Sequence, residues 1–141
     1  IDATRVGVLA ASQSGWFTPE IAERAGGLSF VINKVGSPLY FRETVTWEMA
    51  NDFAEDGVAE EVAREQIDLY RRIWAYRLDP TTQEKEELEA ILAEWSGRED
   101  SQLPTELEQR DPDYLADIAY DPGPYLERSV TPMLYVYGAQ D

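Results

Sequence analysis

The chain contains no cysteine and no histidine, and these two absences exclude more than any single motif does. Without cysteine there is neither a disulfide nor a thiolate metal site. Without histidine these residues hold no imidazole to act as a general base near neutral pH. Basic residues are scarce as well: 12 Lys and Arg stand against 28 Asp and Glu, a formal net charge of −16. A surface of that sign repels phosphate backbones and anionic headgroups, so neither nucleic acid nor a membrane is expected as a partner. No apolar run approaches the ~18 residues that a membrane-spanning helix needs. No secretory leader is legible, and a cytoplasmic location is the expectation. The phosphate cradles G-x-x-x-x-G-K and G-x-G-x-x-G do not occur, so no cofactor is expected. Asp111, Asp113, Asp117 and Asp121 are spaced acids, but they lack the glycine and closing glutamate of a calcium loop, and no metal is expected.

What is present begins near the start of the chain. Val6, Gly7, Val8, Leu9, Ala10 and Ala11 form a short, almost continuous apolar run, the composition of a strand buried on both faces of a parallel sheet. Ser12 stands at its carboxyl end, and a helical pattern opens immediately afterwards. A sharp strand-to-helix turn leaves no room for large side chains two positions to either side of its central residue. Here those neighbours are Ala10 and Ser14, so Ala10-Ala11-Ser12-Gln13-Ser14 is the nucleophile-elbow pattern G-x-S-x-G with both glycines replaced by other small residues. On spacing alone, the same five residues also describe a loop serine capping a helix.

From Gln13 to about Ala25 the pattern predicts a helix, with Ile21, Ala22 and Ala25 on its apolar side and Gly26-Gly27 as its stop. Pro19 lies inside it and predicts a kink or a restart near Thr18-Pro19. A second buried strand is expected over Leu28 to Val35, closed by Gly36-Ser37-Pro38. Ligands of parallel sheets bind at the carboxyl ends of strands, which would put Gly36 and Ser37 beside Ser12. A plain turn without a ligand is the other reading of that segment. Residues 39–121 change character, with dense acids and helical spacing. Helices are expected over Tyr40 to Phe53, Val58 to Leu78 (Ala63, Ile67, Tyr70, Trp74 and Leu78 as the apolar stripe) and Thr82 to Trp95, with Thr81 or Thr82 as N-cap. Gly97 to Asp113 is polar and carries Pro104 and Pro112, so it predicts a loop, and Tyr114 to Tyr120 a short helix. The tryptophans and tyrosines of this stretch fit either a core between helices or the walls of an apolar pocket. Thr131 to Asp141 returns to strand composition at Met133 to Tyr137, followed by Gly138 and an acid three residues on.

The two ends together resemble the α/β-hydrolase family. Ser12-Gln13-Ser14-Gly15-Trp16 with Pro19 resembles the Ser-Gln-Gly-Gly-Trp…Pro segment of a bacterial branch of these serine hydrolases, and Tyr137-Gly138…Asp141 resembles the Tyr/Phe-Gly-x-x-Asp end of its last strand. The resemblance implies an α/β fold in which three strands belong to a parallel hydrolase sheet. Residues 1–38 and 122–141 would be its core, and 39–121 an inserted all-helical cap. It implies Ser12 as nucleophile, Asp141 as triad acid, the Gln13 amide in the oxyanion hole, and Trp16, Gly36 and Ser37 at the substrate pocket. The family's order is serine, acid, histidine, and no histidine is present, so the expectation is an internal portion of a larger enzyme. That portion would act on a small acyl substrate only together with the remainder of its own parent chain, and a homo-oligomer is the alternative association. Ala10 and Ser14 in place of the two glycines leave a second class open: a non-catalytic hydrolase-like binding protein whose acidic cap is its interaction surface.

Overall fold

The computed structural model describes residues 2, 5–37, 39–108 and 111–138. Among them the elements run β1 (Gly7–Ala11), α1 (Ser14–Ala25), β2 (Phe30–Lys34), α2 (Phe41–Glu55), α3 (Glu60–Leu78), α4 (Thr82–Trp95), α5 (Pro112–Ala119), α6 (Gly123–Arg128) and β3 (Met133–Val136). They fall into two compact units, residues 1–44 with 120–141 and residues 45–119.

The first unit is an α/β layer. Its sheet has the order β1-β2-β3, and both pairings are parallel, with Leu9 level with Ile32 and Ile32 with Leu134. Parallel pairing follows from the connections, because a helix or more separates each pair of strands and a tight hairpin cannot form. Side chains alternate between the faces. Val8, Ala10, Val31, Asn33, Met133 and Tyr135 share one face, where Ala10, Val31 and Asn33 are buried and α1 packs on β1 and β2. The opposite face carries Leu9, Ile32 and Leu134, and there Leu9 is 75% and Leu134 55% exposed.

Helix α1 is continuous through Pro19, so the restart that was one of the two expectations there does not occur. An interior proline removes the N–H that would bond the carbonyl four residues back, here that of Gly15. The Thr18 hydroxyl takes its place, donating to the Gly15 carbonyl oxygen at 2.9 Å. Gly26, at φ +53°, ends the helix as expected from the glycine pair. Helix α6 packs on α1, and the Arg128 guanidinium grips both carboxylate oxygens of Glu23 at 3.0 and 3.3 Å. The Tyr40 phenol is hydrogen-bonded to the Asp121 carboxylate, which holds its pKa above the ordinary phenol value.

The second unit is helical. Its core collects Ile73 and Tyr76 from α3, Leu88 and Leu92 from α4, and Leu107 from the following segment. Thr81 caps α4, accepting the Glu84 N–H at 3.3 Å. In α3 the buried positions are Gln66, Leu69, Ile73, Trp74 and Tyr76, so the core face is rotated from the expected stripe, and Leu78 at 39% is exposed. Gln66 explains the rotation. Its Nε2 donates to the Asp100 carbonyl at 2.7 Å and its Oε1 accepts the Gln102 N–H at 2.7 Å, and a buried amide with both ends satisfied is tolerated where an unpaired one is not.

Candidate active site

Ser12 occupies the turn between β1 and α1, and its φ is +54°. The left-handed region is rare outside glycine and costs about 1–3 kcal/mol for such a residue, so it persists only where the surroundings over-determine it. Three constraints hold it. The Ser12 N–H donates to the Lys34 carbonyl at 3.0 Å, extending the β1–β2 ladder one residue past the strand, and the Ser12 carbonyl accepts the Gly15 N–H at 2.8 Å. The third is steric. A Cβ on Gly15 would lie 2.6 Å from Gly36 Cα, and one on Gly36 would lie 2.9 Å from both Gly15 Cα and the Ser12 carbonyl oxygen. Two backbones therefore meet beside Ser12 at a distance that glycine alone permits.

Ser12, Gln13 and Ser14 are exposed, whereas Gly15 and Trp16 are buried. Among the described residues the bonds of Ser12 run through its backbone, which leaves its hydroxyl at the surface. The Ser14 hydroxyl folds back onto the strand: it donates to the Ala11 carbonyl at 2.6 Å and lies 3.3 Å from the Ala11 N–H. The position that the family pattern fills with glycine thus holds a side chain already engaged with its own turn. No family model, curated protein or solved structure matches the chain. The site's own geometry therefore carries the functional reading.

Gly36 and Ser37 follow β2 and lie beside the elbow, since Gly36 abuts both Gly15 and Ser12. The Ser37 hydroxyl accepts the Leu39 N–H at 3.0 Å, which makes it a turn-forming group. Trp16, expected at a pocket wall, is buried with its ring edge-on to Phe41 at 5.0 Å between centroids. Asp141 lies outside the described residues. Several constraints were not read from sequence. Val35 also has φ +54°, a genuine outlier for a β-branched residue, and its N–H donates to the Val136 carbonyl at 2.8 Å. The Tyr137 phenol donates to the Gly36 carbonyl at 2.9 Å, and burial raises its pKa. Thr18 and Asn33 are both fully buried and bonded to each other beneath the elbow. The one available signal for the pair was polar residues at positions that face a core.

Among the described residues the second unit has an open hollow of about 540 Å³ bordered by Asp56, Glu99, Asp100 and Gln102 and another of about 430 Å³ bordered by Glu89, Ser96 and Glu108. Among the described residues no cluster of acids is placed to hold a metal ion, and no helix is long and apolar enough to cross a membrane.

Proposed function

We propose that this chain carries the nucleophile elbow of an α/β-hydrolase that cleaves an ester or a related acyl bond. The observation that supports it is Ser12 itself: an exposed serine in the left-handed region, at the carboxyl end of a parallel strand and directly before a helix. That strained turn is how the elbow lifts its hydroxyl clear of the sheet. In the proposed reaction the Ser12 Oγ attacks the acyl carbonyl carbon while a histidine from outside these 141 residues accepts its proton. The developing oxyanion is met by the Gln13 backbone N–H at the start of α1; its collapse expels the alcohol, which takes the proton from the histidine, and water deprotonated by the same histidine then attacks the acyl-enzyme, freeing the acid and returning a proton to Ser12 Oγ. Asp141 orients that histidine and stabilises its charged form. The helical unit inserted between β2 and β3 occupies the chain position of a cap. The non-catalytic reading drew on Ala10 and Ser14 in place of the two glycines; the bond from the Ser14 hydroxyl to Ala11 weakens the second of these motives and leaves the first standing.

The test is ester turnover by the protein with its native flanking sequence, using short-chain p-nitrophenyl esters. Ser12→Ala should lower kcat about 10³-fold or more, as removal of a triad nucleophile does. Turnover unchanged by Ser12→Ala would refute the proposal.

A further inference from the structure

We infer that Thr18 and Asn33 form a positioning unit that fixes the conformation of the Ser12 elbow. Asn33 lies in β2 with no exposed surface, on a sheet face whose other buried members are apolar, and Thr18 faces it from α1 equally buried. Burying such groups costs free energy unless each is bonded, and these are. Asn33 Nδ2 donates to Thr18 Oγ1 at 2.9 Å, and Asn33 Oδ1 lies 3.1 Å from the same hydroxyl. Thr18 has one proton, shared between the Gly15 carbonyl oxygen, deprived of its N–H partner by Pro19, at 2.9 Å and Asn33 Oδ1 at 3.1 Å.

The result is a chain of hydrogen bonds that runs from β2 to the elbow. Asn33 gives to Thr18, Thr18 gives to Gly15, and Gly15 gives its N–H to the Ser12 carbonyl at 2.8 Å. The chain ends on the residue with the strained φ, and it passes through the glycine whose Cα is wedged against Gly36. Tyr135, level with Asn33 in the next strand, borders the pair, and burial raises its pKa. Apolar side chains would fill the same space without a preferred direction, whereas a fully bonded buried network specifies one arrangement. Pro19 belongs to the device because its missing N–H turns the Thr18 hydroxyl toward Gly15.

The catalytic consequence rests on the hydrolase reading, but the geometric one does not, and two measurements separate them: amide hydrogen exchange at Gly15 and Ser12, and the kcat and KM for a p-nitrophenyl ester in the protein with its native flanks. Thr18→Val should speed exchange of the Gly15 amide and lower kcat about tenfold or more, the scale of a small misplacement of a reacting group, with KM within about twofold. Thr18→Ser, which keeps the hydroxyl, should restore both. Asn33→Leu, nearly isosteric and apolar, should fold and show the same two losses, so it decides the matter if Thr18→Val fails to fold. Wild-type exchange and kcat in folded Thr18→Val or Asn33→Leu would overturn the inference, as would Thr18→Ser being impaired as much as Thr18→Val. If Ser12→Ala turns over ester as fast as wild type, the hydrolase reading falls, and exchange alone then decides the positioning claim.

Discussion

Two non-glycine residues with φ +54°, Ser12 and Val35, end adjacent parallel strands, and both are held by backbone bonds to the next strand, to Lys34 and Val136 respectively. Strain of this kind collects at functional sites because it is kept only where it has a use. The Gly15–Gly36 contact is the tightest of these constraints. Gly36→Ala would drive a methyl into two backbone atoms at 2.9 Å, and neither can swing aside as a side chain would. The expected cost is about 1–3 kcal/mol of stability, read by thermal unfolding, together with faster amide exchange at Gly15. Wild-type values for both would mean that the elbow is not clamped there. At this scale Ser12 was legible, since a sharp turn requires small neighbours and Ala10 and Ser14 supply them. The placement of Gly36 beside Ser12 was legible from the parallel sheet, but its tight contact with Gly15 and the Thr18–Asn33 pair were not. Each joins residues more than a dozen positions apart, and nothing in local spacing says that they meet.

Elements with a strong period were read closely. The helix over Thr82–Trp95 matches its expected bounds because Thr81 supplies a cap and Leu88, Leu92 and Trp95 an apolar stripe. In α3 the expected stripe was rotated because it counted Tyr70 and Leu78 as core and ignored Gln66. A polar residue at a core position is invisible to hydrophobic periodicity when its partners are loop backbone. Gln66→Ala should cost about 1–3 kcal/mol, leaving a cavity and removing both bonds to the 100–102 segment, with loosened exchange at the Gln102 amide. A variant that melts with wild type would show that this segment is held by other contacts. Helix α6 (Gly123–Arg128) was not anticipated: six residues are too few to show a period, and Gly123-Pro124 reads as a turn although proline fits the first turn of a helix. At Pro19 the helix does not restart, since the Thr18 hydroxyl bonds the Gly15 carbonyl that its missing N–H leaves open.

For the chain as a whole, the apolar face of the sheet opposite α1 has a consequence of its own. Leu9, Ile32 and Leu134 stand in one row across three strands, with Phe30 43% and Val136 43% exposed nearby. Parallel sheets are ordinarily covered on both faces, and a contiguous exposed apolar patch seeks a partner. The isolated 141-residue chain should therefore sediment as a dimer or larger species, and Leu9→Lys with Leu134→Lys should shift it toward monomer. A monodisperse monomer at tens of micromolar would contradict this. The strand–helix–strand order with a helical insertion was legible because strand composition and helical spacing differ so sharply here. The site's geometry was legible only in the pieces that local spacing reaches. The most direct test of the central claim is to treat the protein, with its native flanking sequence, with a fluorophosphonate and locate the adduct by mass spectrometry. A single adduct on Ser12, lost in Ser12→Ala, is expected; an adduct on Ser14 or Ser37 with Ser12 untouched, or none at all, would contradict the nucleophile role of Ser12.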